Sequence, residues 1–159
     1  MKRDHRLKTM RDFHQERASA GQRVGVINLG CARNLVDSQE ILGRLKKNGH
    51  QIVAVDKAET VIVNTCSFVA DAKQESIDTI IDLLELKKRG KIKKVIVAGC
   101  LAQRYGKELV EEFAGLDAVI GAPTFDKTSV PDQVYLTPKH FAYVKICESC
   151  YNRCSFCII

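Results

Sequence analysis

No apolar run of about 18 residues occurs anywhere in this chain of 159 residues, which excludes a membrane-spanning helix. The opening stretch MKRDHRLKTMRDFHQERASAGQR has no apolar segment behind its basic residues. No secretory signal is read there, and a cytoplasmic address is expected. Proline is confined to positions 123, 131 and 138, so the rest of the chain is free of its interruptions. Neither GxGxxG nor GxxxxGK[ST] follows the first strand-like run, where the residues are GCARNLVDS, and a phosphate-cradling loop is set aside. His5, His14, His50 and His140 stand in no ligand spacing with one another, so none is a candidate metal ligand.

The composition, 45% hydrophobic and 28% charged, is that of a folding globular chain. The length suits one domain, or one domain and part of another, and is too short for a complete large enzyme. Lys and Arg number 25 against 19 Asp and Glu, a formal charge of +6 that favours acidic partners such as RNA or a ribosomal surface. Seven cysteines are many for a reducing compartment, and an odd number. Clustered thiols there more often hold metal or carry redox chemistry than form disulfides.

Residues 1–22 mix charges of both signs without periodicity and read as a mobile or loosely helical leader. From Arg23 the pattern becomes RVGVINL, a β-branched run closed by Gly30, followed by an amphipathic helix from Val36 to Asn48 ended by Gly49. Asp37 and Ser38 are read as N-capping residues of that helix, with Glu40 in its first turn. Strands are expected at Gln51–Val55 and Thr60–Asn64, then a long helix over 71–89 with a stripe of Ile77, Ile80, Ile81 and Leu84. A strand at Lys94–Ala98, a helix around 101–113 and a short apolar run at Ala118–Ile120 complete the series. Apolar strands alternating with amphipathic helices predict an α/β, doubly wound, mostly parallel sheet over residues 23–122. Residues 123–139 read as a linker, and Phe141–Ile146 as a strand opening a further unit at residues 140–159. The basic run from Lys87 to Lys94 reads as a solvated face.

Cys31, Cys66 and Cys100 each follow a predicted strand, in NLGC, NTC and AGC. The carboxyl ends of parallel strands share one edge, where ligands bind, so these thiols can converge on a metal cluster. The alternative is three separate buried cysteines acting as small apolar residues. Gly30 and Gly99 precede two of them and would admit close approach of a ligand, while Asn34 and Asn64 read as turn-fixing. Cys150, Cys154 and Cys157 form CxxxCxxC, a spacing able to bind three irons of a 4Fe-4S cube and leave the fourth open. With Cys147 the set becomes four thiols, a spacing that also suits zinc or a closed cluster.

The segments GCARNLVDSQ, NTCSFVADAKQESID, AGCLAQRY and FAYVKICESCYNRCSFCII resemble the radical S-adenosylmethionine methylthiotransferases over nearly all of residues 23–159. NLVDSQ and ESID look most like the branch acting on an aspartate of a small-subunit ribosomal protein. The sister branch acts on an adenosine of transfer RNA. The resemblance implies that Cys31, Cys66 and Cys100 hold an auxiliary 4Fe-4S cluster in an N-terminal methylthiotransferase domain. It implies that Cys150, Cys154 and Cys157 hold a second 4Fe-4S cluster, whose open iron binds S-adenosylmethionine, with an electron donor protein as partner. Ser149 stands where the family usually has glycine, and Cys147 where it usually has a small polar residue. With the chain given only to Ile159, the radical barrel and the RNA-binding domain are missing, and the expectation is of a fragment that holds the auxiliary cluster without turning over.

Overall fold

The computed structural model describes residues 6–8, 21–122, 134–147, 150–152, 154, 155 and 157. Its strands are β1 (Leu7–Lys8), β2 (Arg23–Asn28), β3 (Gln51–Ile52), β4 (Thr60–Thr65), β5 (Lys94–Gly99) and β6 (Ala118–Ile120). The helices are α1 (Ala32–Lys47), α2 (Ala70–Lys88) and α3 (Cys100–Glu112), with a 3-10 turn at Val55–Lys57. The strands form one parallel sheet in the order β1-β6-β5-β4-β2-β3. This is the expected doubly wound α/β architecture.

Period-two alternation divides the two cores. Val61, Val63, Val95 and Val97 face α2 and α3, meeting Ile80, Leu83, Leu101 and Leu109. Ile62, Ile96 and Ala98 face the other way, toward Ile41 and Leu45 of α1. Strands apolar on both faces are what a sheet buried on both sides requires. The chain runs from β2 outward to β3, then crosses back to β4 on the other side of β2. The winding therefore reverses between β2 and β4, which puts the topological switch point at their carboxyl ends.

Several expectations are corrected. Helix α1 starts at Ala32, four residues before the predicted start, with Cys31 as its N-cap residue. Asp37 and Ser38 are thus interior helical residues, 3% and 0% exposed, and cap nothing. In α2 the stripe turns through Ile80 and Leu83, and Ile81 is exposed. Predicted strand 51–55 pairs only at Gln51–Ile52, because the chain turns into the 3-10 element at Val55. Leu7–Lys8, inside the expected leader, add a strand to the sheet, with Val119 N donating to Arg6 O at 2.8 Å. The other leader residues up to 20, and linker residues 123–133, lie outside the described residues.

Phe141–Ile146 forms no strand. A strand is a pairing, and among the described residues no other strand lies beside this segment to satisfy its backbone. Part of the basic run is also knitted into the fold: Lys87 Nζ lies 2.5 Å from Asp117 Oδ2, which accepts Val95 N–H at 2.7 Å. No helix among the described residues is long and apolar enough to cross a membrane.

Candidate metal centre

The first three cysteines stand where the switch point puts ligand sites. Cys31 follows β2, Cys66 follows β4 and Cys100 follows β5, and these three strands are direct neighbours in the sheet. Cys31 is the N-cap residue of α1 and Cys100 is the first residue of α3. Helix amino ends carry partial positive charge, so this edge favours an anionic occupant. Cys31 is exposed, Cys66 buried and Cys100 half-buried.

A buried polar network ties the three loops together. Asn34 Nδ2 donates to Leu29 O at 2.8 Å and to Thr65 O at 2.9 Å, bridging the ends of β2 and β4. Those bonds fix the amide's orientation and leave Asn34 Oδ1 to accept from Cys100 Sγ at 3.7 Å. Asn64 Nδ2 donates to Asn34 O at 2.8 Å and to Ser38 Oγ at 3.0 Å, and Ser38 Oγ donates to Asn28 Oδ1 at 2.8 Å. Cys66 is held by Ser76 of α2, whose Oγ accepts Cys66 N–H at 3.1 Å and lies 3.0 Å from Cys66 O. Asn34 and Asn64 thus do more than fix turns, since Asn34 bridges two strand ends and Asn64 ties the end of β4 to α1. Sequence spacing pointed to neither role, although the NxxxS interval in α1 places Asn34 and Ser38 on one helix face.

The glycines before the cysteines are explained by the protein itself. Gly30 has φ +95°, and a Cβ there would stand 2.6 Å from Cys66 Cβ and 2.8 Å from its sulfur. Gly99 has φ +94°, and a Cβ there would meet Asn64 Oδ1 and come within 2.6 Å of Thr65 O. Asn64 Oδ1 is buried and has no hydrogen-bond partner among the described residues. Close approach is real at both positions, but it is of one loop to another.

Burial pushes the Cys100 thiol up from its ordinary value; Arg33 opposes the shift, while Cys66, Cys31 and Asp37 add to it. Cys100 therefore feels both other cysteines electrostatically. Among the described residues no three His, Cys, Asp or Glu side chains come together around the position of a single metal ion. A 4Fe-4S cube makes a different demand, one thiolate for each of three separate irons, and three thiols on neighbouring loops match it in donor chemistry.

The second set is built differently. Cys147, Cys150, Cys154 and Cys157 are all exposed on backbone without helix or strand, with Cys157 N donating to Cys154 O at 3.1 Å. The structure does not bring these thiols together with the first three into one group.

A parallel α/β sheet with Cys31, Cys66 and Cys100 at its carboxyl edge defines the class of doubly wound domains whose ligand sites lie at the strand ends. Residues 23–121 match the family described as Uncharacterized protein family UPF0004, the domain at the amino-terminal end of methylthiotransferases, and the chain belongs to that family. It is 42% identical over 158 residues to the ribosomal protein uS12 methylthiotransferase RimO of Solibacter usitatus, covering 86% of this chain and 34% of that protein. The proteins of the same name from Bdellovibrio bacteriovorus and Pelotomaculum thermopropionicum are 40% and 42% identical, over 91% and 87% of this chain and 37% of each relative. The chain thus spans little more than a third of the length of these relatives, at their amino-terminal portion.

Proposed function

We propose that this chain is the cluster-carrying amino-terminal part of a cytoplasmic enzyme that transfers a methylthio group to the β-carbon of an aspartate in ribosomal protein uS12. The observation that carries the reading is the placement of Cys31, Cys66 and Cys100 at the carboxyl ends of the adjacent strands β2, β4 and β5, at the switch point. The names of the relatives supply the substrate. In this reading Cys31, Cys66 and Cys100 hold an auxiliary 4Fe-4S cluster, and Cys150, Cys154 and Cys157 hold a second one. Reductive cleavage of S-adenosylmethionine, with an electron from a donor protein, is the chemistry that the second cluster supplies when bound.

The chain's own residues have definable tasks. Asn34 and Asn64 lock the strand-end loops, so that the three thiols meet a cluster with little reorganisation. Gly30 and Gly99 let those loops close on one another. Cys100 must lose a proton that its burial retains; Arg33 works against that retention, and the amino end of α3 favours the thiolate.

Anaerobic reconstitution of the full 159-residue chain tests the reading. The expected result is iron and sulfide for two cubes. Alanine at Cys31, Cys66 or Cys100 should remove the iron of one cube, and alanine at Cys150, Cys154 or Cys157 that of the other. Iron content indifferent to Cys31, Cys66 and Cys100 would sink the auxiliary site. Zinc without sulfide, lost on replacing Cys147, would favour a four-thiol zinc site instead.

A further inference from the structure

Lys145 reverses the usual arrangement of its segment. Its apolar neighbours Val144 and Ile146 are 82% and 89% exposed, whereas the Lys145 side chain is only 14% exposed. Its Nζ lies 2.5 Å from Oδ1 of Asp37, whose side chain is buried within α1. Val144 and Ile146 thus bury little apolar surface, and Phe141 and Tyr143, packed edge to face, remain 43% and 47% exposed. The ion pair of two largely buried side chains ties the segment to α1.

Asp37 belongs to the floor of the cysteine edge. It follows Cys31 by less than two helical turns, and its neighbour Ser38 bonds Asn28 and Asn64. On the same helix Glu40 pairs with Arg44 at 3.0 Å. A carboxylate this buried is costly unless a cation meets it, and Lys145 provides that cation from far along the chain. Cys150 lies five positions beyond Lys145, a reach of at most about 18 Å when extended.

We propose that the Asp37–Lys145 ion pair is a clamp that docks the segment leading into CxxxCxxC onto the carboxyl edge of the sheet, which keeps the second cysteine set within reach of the first. Both are positioning residues. The part concerning clusters rests on the function proposed above, whereas the clamp itself does not.

The test uses the metal-free chain and limited chymotrypsin digestion, with cleavage after Phe141 and Tyr143 followed by mass. Lys145→Met keeps the stem and removes the charge, and is expected to raise cleavage there about tenfold by populating the undocked segment. Asp37→Asn should do the same. Lys145→Arg keeps the charge and should cleave near the rate of the unchanged chain, a rescue that loss of packing alone would not show. Because Asp37 lies within a helix, Lys145→Met, outside the sheet domain, is the deciding variant. Equal cleavage in Lys145→Met and the unchanged chain would overturn the clamp. If cubes fail to assemble while Lys145→Met still accelerates cleavage, the clamp stands and the cluster assignment falls.

Discussion

The two cysteine sets of this chain solve the same problem in opposite ways. Cys31, Cys66 and Cys100 are far apart in sequence and are gathered by sheet order, with buried amides and two positive-φ glycines holding their loops. Cys150, Cys154 and Cys157 are gathered by spacing alone and are exposed on irregular backbone. The first set inherits its geometry from the hydrophobic core, so it should be sensitive to the fold. The second carries its geometry in eight residues and depends on what docks it. The Asp37–Lys145 pair joins the two regimes.

The sharpest way to break this contrast is at Gly99. Gly99→Ala puts a Cβ against Asn64 Oδ1 and the Thr65 backbone at a strained φ, and is expected to cost about 3 kcal/mol or more in a denaturant melt. Gly21→Ala has a similar φ with nothing within 4 Å, and should cost only about 1 kcal/mol, which separates backbone strain from crowding. Asn34→Ala leaves Leu29 O and Thr65 O without their donor and should cost about 2 kcal/mol, whereas exposed Asn152→Ala in the second region should stay within about 0.5 kcal/mol. Among the thiols themselves, metal-free Cys66→Ala should destabilise by about 1 kcal/mol because Cys66 is 4% exposed, and Cys154→Ala should be nearly neutral. Equal effects at Cys66 and Cys154 would erase the distinction between the two sets.

The smallest effect is one of pH. Burial holds the imidazole of His50 below its ordinary value, and its Nδ1 has no hydrogen-bond partner among the described residues. The unfolded chain therefore takes up a proton before the folded one does. Stability should be full above the ordinary histidine pKa of about 6.5 and decline as pH falls through it toward the folded value. Thermal melts of the metal-free chain between these conditions should show the decline, and His50→Gln should flatten it. An undiminished slope in His50→Gln would assign the effect elsewhere.

Much of the sheet could be read directly, because β4 and β5 are β-branched runs bounded by polar residues and are buried on both faces. The positions of the first three cysteines after their strands were legible for the same reason. The true start of α1 was not: Ala32, Arg33 and Asn34 carry no apolar period, Cys31 makes no side-chain cap, and Asp37 and Ser38 imitate one. Their actual roles depend on Asn28, Asn64 and Lys145, partners that no local pattern reveals. Phe141–Ile146 has the residues of a strand, but pairing is decided by a neighbour, and the inward turn of Lys145 is decided by Asp37. β1, with two residues, is too short for any periodicity to register.

That two-residue strand has a consequence for how copies of this chain behave toward one another. β6 is apolar throughout, with Ala118, Val119 and Ile120 only 2–3% exposed, and β1 lies along its outer side. Without residues 6–8 the backbone groups of β6 would form an open border on which a strand from a second molecule could template. A version of the chain beginning at residue 21 is accordingly expected to self-associate on standing. Handling of this domain in solution thus depends on a pair of residues at the border of its sheet.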